Sequence, residues 1–225
     1  VKKEWAFILI LIFYFVVVFY RFQEQGLINW DESYFAIVAR TFADIFKTAI
    51  FHPALLFSAS YFPELRANYG NVYTVAKPSY IIAASFLSIF WPSQLALRLL
   101  SVFSGAAVLI IFYRLLLFYQ FDQKIKIAAI FLLASSPLFL LFSRLGLAPM
   151  FSAFFLLLAV YYLLKFRGSA RTKDLVLSGL SLAVLLMSHY STFIIAATIL
   201  IFGFFYLWQK KIYLKSIVIL QVFVG

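Results

Sequence analysis

The stretch Tyr80-Ile81-Ile82-Ala83-Ala84-Ser85-Phe86-Leu87-Ser88-Ile89-Phe90-Trp91 decides the topology of this chain. It is apolar almost throughout, yet it is far shorter than the about 20 residues that a crossing helix needs, and runs of this length are more often interfacial or re-entrant. If the segment crossed, the basic clusters Lys124/Lys126, Lys165/Arg167/Arg171/Lys173 and Lys210/Lys211/Lys215 would all face away from Lys2 and Lys3. If it lies in the interface, every one of them shares the side of the N-terminus, as expected when basic residues stay in the cytoplasm. The second arrangement is the consistent one, and it predicts a helix lying against the outer interface.

Composition supports a membrane setting. Of the 225 residues, 65% are apolar and 12% charged, and the mean hydropathy is +1.02, which excludes an ordinary soluble domain. The net charge of +11 is not the footprint of a nucleic-acid binder, because the nineteen Lys and Arg sit at the ends of apolar runs and form no single stripe. No cysteine is present, so disulfides and thiolate metal sites are excluded. The two histidines, His52 and His189, lie far apart and make a weak metal signal.

Working outward, Trp5 to Tyr20 is an unbroken apolar run between Lys2-Lys3 and Arg21. Phe19-Tyr20-Arg21-Phe22-Gln23 contains no small-residue cleavage site, so the run is expected to be a retained first helix and not a signal peptide. The following spans are expected at Leu95–Tyr119, Ile125–Ser143 and Leu147–Leu164, with a pair within Leu175–Trp208. As one helix the last segment would rise about 51 Å, against a hydrocarbon core of about 30 Å, so it must turn near Ser188-His189-Tyr190-Ser191. Another apolar run starts near Ile212 and reaches Gly225. The expected fold is thus an all-α, polytopic membrane helix bundle, a single membrane domain over 1–225 of about seven spans. Its last span is cut short, which suggests a piece of a longer chain.

Between the first two spans, at about 22–94, lies a long extracytoplasmic loop that holds five of the eight acidic residues. From Ser33 to Ala49, Phe35, Val38, Phe42, Phe46 and Ala49 recur at helical spacing, while Ser33, Arg40, Asp44 and Lys47 share another face. This is a juxtamembrane amphipathic helix. Arg40 and Asp44 stand four apart and suit an ion pair with each other. Phe51 to Thr74 reads as loop with turns.

That helix starts at Asn29-Trp30-Asp31-Glu32-Ser33-Tyr34-Phe35, two adjacent carboxylates just beyond the first span. Ionised carboxylates beside hydrocarbon are costly unless solvated or paired, so the doublet marks a candidate site. The same doublet suits plain helix capping, with Asp31 as N-cap and Glu32 in the first turn. On the expected topology Lys77, Arg98 and Arg144 reach the same face from three separate places in sequence. Singly, each is an ordinary snorkelling cation. Together around an acidic pair at headgroup depth, they suit an anionic ligand such as a lipid phosphate. His189 reads as a turn residue.

These residues resemble the GT-C membrane glycosyltransferases that use polyprenyl-phosphate sugars, particularly the protein O-mannosyltransferases, which take dolichyl-phosphate mannose, and the aminoarabinose transferases. The resemblance rests on Asp31-Glu32 after the first span and Lys77-Pro78-Ser79-Tyr80, which is similar to the family's Lys-Pro-Pro segment. Leu97-Arg98-Leu99-Leu100-Ser101 and Ser135-Ser136-Pro137 with Ser143-Arg144-Leu145 complete it, in the family's order. It implies a sugar transfer at the extracytoplasmic face of the plasma (inner) membrane, from a polyprenyl-phosphate-linked donor to a protein, lipid or glycan acceptor. Asp31 would be the catalytic base, Glu32 would position sugar or acceptor, and Lys77 and Arg98, with Arg144, would hold the donor phosphate. No organic cofactor is implied; a divalent metal is compatible. The chain departs from the family at Ala148, where relatives often carry an acid, and at His189, where they often carry Lys. Two alternatives stay open: a transporter or lipid-binding scaffold, and a catalytically degenerate family member.

Overall fold

A computed structural model describes residues 4–20, 22, 30–51 and 78–188, with scattered positions between 192 and 201. Among the described residues the secondary structure is entirely helical: α1 (Trp5–Phe19), α2 (Trp30–Phe51), α3 (Pro78–Ser88), α4 (Ser93–Phe118), α5 (Gln123–Ser135), α6 (Pro137–Arg144), α7 (Pro149–Ser169) and α8 (Thr172–Leu186). Proline punctuates the order. Pro137 and Pro149 occupy the first position of α6 and α7, where a missing N–H costs nothing, and Pro92 immediately precedes α4. Asp122 accepts from the Gln123 amide at 2.7 Å to start α5, and α7 stops at Ala170, which takes the left-handed conformation at φ 53°.

Helices α4 and α7 are each long and apolar enough to cross a membrane. The segment 125–143, expected as one helix, is divided into α5 and α6 with a bend of 55°. The cause is Pro137, whose ring would clash with the carbonyl four residues back in a continuous helix and which drives Ser136 into an extended conformation (φ −61°, ψ 124°). Taken together, α5 and α6 are apolar enough to make a third crossing.

Pair contacts define the two ends of the bundle. Calling the end where α4 begins the upper end, α1 runs upward beside it: Phe7 stacks on Tyr113 low in α4, and the Tyr14 hydroxyl donates to the Val102 carbonyl at 2.8 Å. Helix α7 runs down parallel to α4, since Phe151 near its start shares a core with Leu97. Helix α8 returns upward along α7. Lys165 and Ser169 meet Asp174 at the lower end, Ser178 Oγ donates to the Ala159 carbonyl in the middle, and the Ser152 and Ser188 hydroxyls touch at 2.8 Å at the top. Such small hydroxyl residues let two apolar helices approach closely and exchange hydrogen bonds, the usual adhesive where water exclusion drives nothing.

Helix α3 begins and ends at this upper end. Its first turn is tied to the top of α8, with Ser79 N–H donating to the Met187 carbonyl and Ser79 Oγ to the Val184 carbonyl, and its last residue, Ser88, precedes α4 by a short turn. At about 16 Å, a helix of this length does not cross 30 Å of hydrocarbon. Helix α2 packs beside it, with Phe46 stacked on Phe86 at 4.8 Å. Of the face predicted for α2, Phe35 and Val38 are buried and Phe42, Phe46 and Ala49 half-buried; Ala39 and Ala43, beside it, are also covered, and Arg40 is exposed.

Candidate functional site

The upper end is built on Tyr80, which is completely buried. Its ring meets Phe35 of α2 edge-on at 6.2 Å and Phe151 of α7 at 5.7 Å, and its hydroxyl lies 3.4 Å from both the Leu97 carbonyl and Ser101 Oγ of α4. Ser101 in turn donates to the Leu147 carbonyl at 3.0 Å, anchoring the turn between α6 and α7. One tyrosine and one serine thereby fasten α2, α3, α4 and the α6–α7 turn together.

Within this frame the structure brings Arg98 and Arg144 to the same piece of chain. Arg98, 7% exposed in the second turn of α4, directs Nη1 at the Phe22 carbonyl at 3.4 Å, and Arg144, in the last turn of α6, donates from Nη2 to the Tyr20 carbonyl at 2.8 Å. Those carbonyls are two residues apart and so lie within about 7 Å of each other. Two guanidinium groups from different helices thus grip the exit of α1. Arg144 also keeps its Nε buried with no hydrogen-bond partner among the described residues. A buried, charged N–H left unmet costs about 1–3 kcal/mol, so this donor favours an acceptor oxygen placed beside it.

The acidic doublet sits at the start of α2. The described part of the helix runs from Trp30, so the backbone at positions 31 and 32 lies in its first described turn. Acidic residue types are favoured there by the positive end of the helix dipole. The backbone at Asp31 is one turn before Phe35, the residue that packs on Tyr80. Lys77 and His189 lie outside the described residues, although Pro78, the neighbour of Lys77, starts α3. Ala148 is fully buried at the head of α7, in the core formed by Phe35, Tyr80, Leu97 and Phe151. Among the described residues no three His, Asp or Glu side chains come together as a metal site.

Three participants were not singled out by sequence reasoning. The Tyr20 and Phe22 carbonyls carry no side-chain signal, and their role depends wholly on how α1 exits. Tyr80 closes the Lys77–Tyr80 segment and opens the Tyr80–Trp91 run, with no role of its own in the sequence reading; a Tyr closing a basic-proline motif at the head of an apolar helix was the available clue.

A family model described as dolichyl-phosphate-mannose-protein mannosyltransferase matches residues 78–225. The matched region holds Arg98, Arg144 and Tyr80, while Asp31, Glu32 and Lys77 precede it. Searches among the curated proteins and among the solved structures gave no match.

Proposed function

Because this chain belongs to the dolichyl-phosphate-mannose-protein mannosyltransferase family, a family of membrane glycosyltransferases, we propose that it transfers a sugar from a polyprenyl-phosphate donor to a protein, lipid or glycan acceptor at the extracytoplasmic face. The observation that carries this reading is the arginine pair: Arg98 and Arg144 converge at one end of the bundle, and Arg144 holds a buried donor without a partner among the described residues. An anionic oxygen of a lipid phosphate meets that requirement, and arginine forks suit it better than point charges do.

The chemistry is a single displacement at the anomeric carbon. An acceptor hydroxyl or amine is a weak nucleophile, so Asp31 takes its proton as the new bond forms. The bond between the anomeric carbon and the phosphate oxygen breaks, and the polyprenyl phosphate leaves with the bonding pair. Arg98, Arg144 and Lys77 stabilise the charge that grows on the departing phosphate, an interaction stronger in the transition state than in the ground state. Glu32 orients sugar or acceptor. The bundle crosses the bilayer several times with its N-terminus and basic loops inside, which puts the upper end outside with the lipid donor.

The test is transfer of labelled sugar from a polyprenyl-phosphate donor by the full-length protein, wild type against Asp31→Asn. Turnover should fall by about 10²–10⁴ while donor binding is retained. Intact transfer by Asp31→Asn removes Asp31 from catalysis, and no transfer from any such donor by the wild type removes the reading.

A further inference from the structure

A charged cavity lies on the same end of the molecule, away from the arginine pair. It is an open cleft with a volume of about 590 Å³, between the second half of α2 and the turn from α3 into α4. Arg40, Asp44 and Lys47 form one wall, and Phe90, Trp91 and Gln94 contribute to the other. Along α2 it begins about 13 Å from Asp31, nine residues on. Nothing in the transfer chemistry uses it.

Four features constrain what fits there. Arg40, Asp44 and Lys47 are spaced four and three apart, so they are neighbours on one helical face with charges in the order plus, minus, plus. The ion pair expected between Arg40 and Asp44 is not formed: among the described residues the only ion pair is Lys165–Asp174. The start of α4 lines the opposite wall and has no side-chain cap, so its first amides add partial positive charge to the cavity. Finally, Phe90 is 77% and Trp91 45% exposed at the rim, aromatic residues of the kind that settle at headgroup level.

A simple anion satisfies the cations but is repelled by Asp44. An apolar ligand leaves all three charges without partners. A group carrying a phosphate and, a few ångströms away, a primary ammonium satisfies all of them: phosphate oxygens between Arg40, Lys47 and the α4 amides, and the ammonium hydrogen-bonded to the Asp44 carboxylate. We propose that this cavity binds the headgroup of an aminophospholipid of the phosphatidylethanolamine type, with acyl chains leaving past Phe90 and Trp91. A choline headgroup has the same charges, but its quaternary nitrogen has no N–H to give Asp44, and a glycerol headgroup has no cation at all. The site is therefore selective in a predictable order.

Trp91 is a built-in reporter. The full-length protein with every tryptophan other than Trp91, Trp5, Trp30 and Trp208 among them, changed to Phe is reconstituted in phosphatidylcholine vesicles containing a minor fraction of lipid with brominated acyl chains, and Trp91 fluorescence is recorded. Brominated phosphatidylethanolamine should quench it with an apparent affinity about threefold or more above that of brominated phosphatidylcholine or phosphatidylglycerol. The double variant Arg40→Gln/Lys47→Gln should abolish that preference, and Asp44→Asn should erase the margin over phosphatidylglycerol. Circular dichroism of each variant confirms that the helices persist. Equal quenching by the three lipids, a preference that survives Arg40→Gln/Lys47→Gln, or displacement by millimolar inorganic phosphate, which would make the ligand a free anion, each overturns the proposal. The readout is independent of sugar transfer, so its outcome does not depend on the catalytic assignment.

Discussion

Arg144 Nη2 donates to the Tyr20 carbonyl at 2.8 Å, joining positions 124 residues apart and pinning the end of α6 to the exit of α1. The same arginine has a buried Nε with no partner among the described residues, so one nitrogen holds structure while another remains to bind.

Arg144→Lys retains the charge but loses the planar fork, and Arg144→Ala loses both. A hydrogen bond to a charged group contributes about 1.5–3 kcal/mol, so Arg144→Ala should weaken donor affinity by about 10–150-fold, with Arg144→Lys in between. The check is donor titration of purified variants alongside their melting temperatures. Unchanged affinity in a folded Arg144→Ala would show that its role is confined to the Tyr20 contact.

Tyr80→Ala should be among the most destabilising single changes, at about 3–5 kcal/mol, because a fully buried ring touching three helices would leave a cavity. Tyr80→Phe should cost only about 1 kcal/mol or less, since both hydroxyl contacts are long at 3.4 Å. Thermal unfolding in detergent distinguishes the two.

Gly105 lies where α1, α4 and α6 meet. A Cβ there would collide with the Tyr14 hydroxyl and Ser143 Oγ, and neither yields easily, since Tyr14 is fixed on the Val102 carbonyl and Ser143 on the Phe139 carbonyl. Gly105→Ala should therefore lower stability by about 1–3 kcal/mol despite its better helix propensity. Pairing it with Tyr14→Phe, which removes the nearest clashing atom, should recover part of the loss in a thermal melt.

At the lower end Asp174 is 4% exposed, meets Lys165 Nζ at 3.6 Å and accepts from Ser169 Oγ at 3.0 Å. Asp174→Ala removes the charge-assisted hydrogen bond from Ser169 and a favourable charge from the first turn of α8, a loss of about 1–3 kcal/mol. Lys165→Ala should cost less than Asp174→Ala, because Lys165 is largely hydrated and Asp174 keeps Ser169. Denaturation of both variants gives the comparison.

The absence of native cysteine makes topology directly measurable. A cysteine placed at Arg171 should be shielded from an impermeant label in intact cells, and one at Ser60 should react. The reverse pattern would invert the bundle and move the upper end, with the arginine pair and the cleft beside α2, to the cytoplasmic side.

Much of the architecture was legible because apolar run length and proline placement act locally. The starts of α6 and α7 were written in Pro137 and Pro149, and the amphipathic face of α2 in the spacing of Phe35, Val38 and Phe42. The bend between α5 and α6 was written there too, in Ser136-Pro137, although the run 125–143 read as one helix by hydropathy, a measure that averages across a proline. Arg98 and Arg144 were identified as cations at one face by counting crossings.

What the residues alone determined, then, was which segments form helices and that Arg98 and Arg144 belong at one end of them, since both follow from short-range geometry and from the cost of burying charge. Tertiary structure alone decided that Arg98 and Arg144 grip carbonyls two residues apart, that Tyr80 joins three helices, and that Arg40 and Asp44 line a cavity without pairing. Those facts depend on where helices distant in sequence cross, and a backbone carbonyl or an angle between helices leaves no mark in the order of side chains.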